Sequence, residues 1–345
     1  MIRMRFHFLV LSSLLVMNAA LAQQTSCRVD LPVGIVGTDG SLLEGLTAQD
    51  ISVRVRKQTL PIESVVSDAG PRRVLFILDT SRRLAPEARK VETMLTDYVV
   101  SKARPADSFA LLTTRGTVRQ VHFEEGQDAL LKAVRELAAD PKEPGKAANV
   151  LDTIVEGIRW FAEPRSGDAI ILMADHLEEA DSAAHYTPRG MSGAGPMQGV
   201  ATDRGPSFEA NSHARFQDVV SSLADHRIRV FGLQFGAFKF TPMNGVYQPN
   251  DEDLFGITIG SGGYAVFDPV DQYGSYVINP AREQSLQHKV FQLYGAVARY
   301  YVLHVNSSTP PHHESWSLEL AKDLRKNTVA LYPRVFDSCS SEETH

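Results

Sequence analysis

Residues 74–78, Val-Leu-Phe-Ile-Leu, form a continuous apolar run that stops at Asp79, and such a run predicts a strand buried on both faces of a parallel sheet. A second run of this kind, Ala169 to Ala174, stops at Asp175. Between and after them the apolar positions switch to helical spacing. Pro86 suits a first helical turn, and Ala88, Val91, Leu95, Tyr98 and Val99 then recur on one face. Leu130, Val134 and Leu137 mark a second helix; Leu151, Ile154, Val155, Ile158 and Phe161 mark a third; Phe216, Val219, Val220 and Leu223 mark a fourth. Phe109 to Leu112, Val118 to Phe123, Val230 to Phe235 and Tyr264 to Phe267 read as further strands, with Arg115-Gly116 joining the first two. Strand, helix and strand in alternation predict an α/β fold with a doubly wound, mostly parallel sheet.

The flanks carry a different rhythm. Val53 and Val55 alternate with Ser52, Arg54 and Arg56, the period of a strand with one wet face, and Asp39-Gly40 marks a tight turn. After a helix around Leu286 to Val297, strands are expected at Tyr300 to Val305, Ser315 to Leu320 and Val329 to Leu331. These C-terminal strands complete a small flanking β module begun by the N-terminal segment. Two stretches have no period: about 176–214, rich in glycine and proline, is expected as a mobile insert, and Phe238 to Asp251 as a second irregular segment.

The first residues change the picture of where the chain works. Arg3 and Arg5 precede an apolar segment from Phe8 to Met17, and Ala20-Leu21-Ala22 has the small residues of a signal-peptidase site, so residues 1–22 are expected to be a secretory signal peptide. A retained anchor is the alternative, but the apolar core is shorter than the ~20 residues a span needs. Residues Gln23 to Ser26 separate the small-residue site from Cys27, which argues against a lipoprotein. The expected organisation is then a β module over 23–69, an α/β domain over 70–270, and a helix with strands over 271–345 that pack back on the module. The only two cysteines, Cys27 and Cys339, lie near the ends of an exported chain and are expected to pair; two free thiols are the alternative. Net charge is −6, from 35 basic and 41 acidic residues without long blocks of either sign, so no nucleic-acid partner is expected. No later apolar run approaches membrane-spanning length.

Asp79-Thr80-Ser81-Arg82-Arg83, placed directly after a buried strand, resembles the Asp-x-Ser-x-Ser opening of the von Willebrand factor A domain's metal-ion-dependent adhesion site. Leu46-Thr47-Ala48-Gln49-Asp50 is similar to a segment that precedes this domain in exported bacterial proteins of the acidobacterial type. The resemblance implies an antiparallel edge strand from the hairpin near Arg115, and reads Gly260 to Gly263 as the turn before the last sheet strand. It also implies ligands on three loops for a hard divalent cation, Mg2+ or Ca2+, with a position left for a partner's carboxylate. Asp79, Ser81 and Asp175 match that set. Arg83 stands where the family has a hydroxyl, Ala148 where it has a threonine, and His176 follows Asp175 where glycine is common. A guanidinium cannot coordinate a cation but can pair with Asp79 and Asp175 in its place, so the site is expected to be degenerate and without a cofactor; a weakened metal site is the alternative.

Other chemistry is thin. The acidic run Asp175 to Asp181 lacks the glycine-turn spacing of a calcium loop, and the histidines lack zinc-site spacing. Gly260 to Gly263 precedes a strand, so no helix N-terminus stands behind it to hold a phosphate. A haloacid-dehalogenase-like phosphatase needs a second aspartate two residues after Asp79, where this chain has Ser81, and no nucleophile elbow is present. The expectation is therefore an exported, non-enzymatic binding protein that meets an extracytoplasmic protein partner through Asp79, Ser81, Arg83 and Asp175. A structural or assembly role in the cell envelope is the alternative, and a metal-dependent hydrolase the third reading.

Overall fold

The computed structural model describes residues 27–37, 41–55, 57–80, 86–114, 119–139, 150–174, 206–236, 254–269, 279–307, 314–326, 328–333 and 335–336. The β module opens with β1 (Cys27–Gly37), β2 (Ile51–Val55), β3 (Gln58–Leu60) and β4 (Ile62–Asp68). The α/β part follows: β5 (Arg73–Leu78), α1 (Pro86–Lys102), β6 (Ser108–Thr113), β7 (Gln120–Val121), α2 (Gly126–Ala139), α3 (Val150–Arg159), β8 (Ala169–Ala174), α4 (Pro206–Asp225), β9 (Arg229–Gly236), α5 (Leu254–Ser261) and β10 (Ala265–Pro269). The chain then returns through α6 (Pro280–Ala298), β11 (Tyr300–Ser307), β12 (Glu314–Leu320), β13 (Thr328–Leu331) and β14 (Val335–Phe336).

The central sheet has six strands in the order β10-β9-β8-β5-β6-β7, parallel except for β7. Strand alternation divides its two faces. Val74, Phe76 and Leu78 pack into a core with α1, α2 and α6, whereas Leu75 and Ile77 face α3, α4 and α5. All six residues of β8 are buried, as a strand covered on both faces must be. Gly157 lets α3 lie close on the sheet, since a Cβ there would meet the Leu75 side chain at 2.5 Å.

Two antiparallel four-stranded sheets, β13-β1-β11-β4 and β14-β12-β2-β3, share a separate core of Val29, Leu31, Val33, Val53, Leu303 and Trp316 among others. Only Arg299 separates α6 from β11, so the last helix of the α/β layer runs straight into an inner strand of the module. The junction is polar and buried. Arg72 donates from its backbone to Asp107 at 2.9 Å, and from its guanidinium to Val297 O at 3.2 Å and Asp68 at 2.8 Å. The Tyr300 ring lies between the guanidiniums of Arg72 and Arg229, 4.6 and 4.2 Å from its centroid, and its hydroxyl donates to Asp68 at 2.9 Å. Burial pushes the Arg229 guanidinium down to about 10, which still leaves it charged at neutral pH.

Several sequence expectations are corrected here. The strand expected over Val118 to Phe123 is only Gln120–Val121, because Phe123 turns into a 3₁₀ segment and packs 5.2 Å from Phe161. The helix expected from Phe216 begins at Pro206, so the last part of the expected insert is helical; residues 176–205 lie outside the described residues. A helix, α5, precedes β10, and the glycines at 260–263 are its end and the link to that strand. Among the described residues no helix is long and apolar enough to cross a membrane.

Candidate functional site

Asp79 is the first residue beyond β5, at the end of the inner strand where the chain crosses first to β6 and later to the opposite neighbour, β8. Open α/β sheets place ligands at such a switch point, outside the carboxyl ends of the strands. The ladder runs on past both neighbours: the Asp79 amide donates to Met173 O at 2.9 Å, and the Thr114 amide donates to Leu78 O at 3.0 Å. Asp79 is therefore held in the sheet and only 1% exposed, with Thr80 behind it at 7%.

Two residues that the sequence reading passed over complete this corner. Thr114, just beyond β6, donates its hydroxyl to Asp79 Oδ1 at 3.2 Å and accepts from the Thr80 amide at 3.1 Å. Glu92, in the second turn of α1, brings Oε1 within 3.2 Å of the Asp79 amide and is fully buried. Two buried carboxylates so close need compensating positive charge or donors. Arg89, three residues before Glu92 on the same helix, is 9% exposed, and Asp79, Arg89 and Glu92 all have further interactions. The sequence did hold a signal for Glu92. It lies four residues after Ala88 and three before Leu95, on the apolar stripe of α1, where a carboxylate is out of place unless it has a task.

Of the expected site residues, Asp79 alone lies in the described part; Ser81, Arg83 and Asp175 lie outside it, as do Ala148 and Cys339. Asp175 follows the last residue of β8 in sequence, and β8 is the neighbour of β5. Asp152, on α3, pairs with Arg215 of α4. Cys27 is buried at the start of β1. Thr114 takes one lone pair of Asp79 Oδ1, and among the described residues no group of three acidic, histidine or cysteine ligands gathers.

No family model matches the chain, and no curated protein sequence does. Among solved structures it is similar to the human COPII-coat protein Sec24c, at 9% identity over 78% of this chain and 44% of that one, with a TM-score of 0.41. Proximal thread matrix protein 1 from the mussel byssus is similar at 12% identity over 70% of this chain and 50% of its own, with a TM-score of 0.42. An aerotolerance-related membrane protein from Bacteroides fragilis follows at 14% identity, 63% of this chain, 98% of its own and a TM-score of 0.33. This chain thus spans about half or less of the first two structures.

Proposed function

We propose that this is an exported, non-enzymatic protein of von Willebrand factor A-like build that binds a protein partner through the loop face above the carboxyl ends of β5, β6 and β8. The observation that carries the reading is the placement of Asp79, a buried carboxylate fixed at the switch point of a six-stranded, mostly parallel sheet. In this reading Asp79, Ser81 and Asp175 are what remains of an adhesion site, and Arg83 pairs with the carboxylates where a cation would otherwise sit. The partner then meets a preformed surface that needs no Mg2+ or Ca2+. In this reading signal-peptide cleavage after Ala22 delivers the protein to the periplasm or medium, and a Cys27–Cys339 bridge closes the β module.

Affinity capture from envelope extracts, quantified by mass spectrometry, tests the reading with three proteins: wild type, Asp79→Ala, and a deletion of residues 188–212. One partner enriched by wild type and lost with Asp79→Ala or the deletion is expected. A partner retained by both variants points to an assembly role of the β module instead.

A further inference from the structure

We infer that Thr114 and Glu92 are positioning residues of this binding face, fixing the Asp79 carboxylate and the backbone of Asp79 and Thr80 at the end of β5. The inference rests on the loop-face reading above, but its geometry stands on described residues alone. A chain leaving the end of a strand loses its ladder partners and is free to swing. Here it is caught twice. The Thr80 amide, one residue beyond the last ladder bond, donates to Thr114 Oγ1 at 3.1 Å, and the same hydroxyl turns its proton to Asp79 Oδ1 at 3.2 Å. One side chain thereby sets both the backbone of residue 80 and the rotamer of the carboxylate. Glu92 adds an acceptor at 3.2 Å from the Asp79 amide, reaching across from α1 to the end of β5.

All three groups are almost without solvent: Asp79 is 1% exposed, Glu92 0% and Thr114 7%. Water therefore cannot replace a lost bond at little cost: removing the Thr114 hydroxyl takes the acceptor from the Thr80 amide, and removing Glu92 takes the second acceptor from the Asp79 amide, which keeps its bond to Met173 O. Thr113, the neighbouring residue of β6, supplies the contrast. It pairs in register with Leu78, and its buried hydroxyl has no hydrogen-bond partner among the described residues. Two adjacent threonines of equal size thus differ in that one holds Asp79 and the Thr80 amide and the other holds neither.

Hydrogen exchange by NMR on the full mature protein reads the backbone effect. Thr114→Val should speed exchange of the Thr80 amide by about tenfold or more while the amides of Phe76 and Ile171 keep their rates; Thr114→Ser should restore it, and Thr113→Val should change nothing. A second readout uses Mg2+ as a probe in the Arg83→Ser, Ala148→Thr double variant, which regains the oxygen ligands. There Thr114→Val should weaken Mg2+ binding by about tenfold in calorimetry. Glu92→Leu should weaken it too, whereas Glu92→Gln, which keeps an oxygen toward the Asp79 amide, should not. An unchanged Thr80 amide in Thr114→Val, or equal effects from Thr113→Val and Thr114→Val, overturns the inference. A double variant that ignores Mg2+ while the Thr80 amide still responds removes the adhesion-site reading and leaves the positioning role intact.

Discussion

Asp68, where the β module passes into the α/β layer, accepts from Arg72, Gly70 and Tyr300, and its acid titration makes that junction measurable. Burial alone would raise its carboxyl, but hydrogen bonds from Arg72, Gly70 and Tyr300 outweigh that and hold it below the ordinary 3.8. A carboxyl whose folded value is depressed contributes stability that is present above the unfolded value and lost as pH falls through the folded one. In urea unfolding the gap between wild type and Asp68→Asn should therefore be widest near pH 6 and shrink below about pH 4; a constant gap contradicts the assignment. The residue scale is also where the sequence was least legible. Asp79 announced itself by ending an apolar run, and Glu92 stood on an apolar stripe, but Thr114 had no pattern: a hydroxyl at a strand end looks the same whether it holds a loop or faces water. Arg72 and Arg229 were silent for a related reason, because an arginine entering a strand reads as a solvated edge until the packing puts Tyr300 between the two.

At the scale of elements, period alone carried most of the sheet. Five of the six central strands follow from apolar runs, and their alternation assigns each residue to its face; Phe76 and Ile171 are fully buried. Ile171→Ala should cost about 2–5 kcal/mol in chemical denaturation, and a change within experimental error would mean that β8 is not the inner strand described. What the pattern missed has a physical cause in each case. Leu254–Ser261 is apolar nearly all round with two glycines, so it lacks the one-sided stripe by which a helix is recognised. Its end packs so closely on β9 that a Cβ on Gly263 would sit 1.9 Å from Val230 O, a backbone atom that cannot turn aside. Gly263→Ala should therefore displace β10 and cost about 1–3 kcal/mol or more, read as a lower urea midpoint. The early start of α4 was hidden in the same way, since Ser-Phe-Glu-Ala-Asn-Ser-His is too polar to show a face.

For the whole molecule, the two ends of the chain build one β module: β1 pairs with β11 and β13, and β2 with β12. A disulfide between Cys27 and Cys339 would close a loop around nearly the whole mature chain, a constraint of about 2–4 kcal/mol. Intact mass of the exported protein should show loss of residues 1–22 and the two hydrogens given up in oxidation; two alkylatable thiols in the unreduced protein would contradict the bridge. The account turns on Arg83 doing at the loop face what a divalent cation does elsewhere, and thermal unfolding of wild type and Arg83→Ser, each in chelator and in excess Mg2+, tests that most directly. Removing the guanidinium leaves carboxylates that repel, take up a proton or recruit a cation. The account predicts a wild type indifferent to Mg2+ and an Arg83→Ser variant that is less stable in chelator and recovers when Mg2+ is added. A wild type already stabilised by Mg2+, or a variant indifferent to it, would contradict the account.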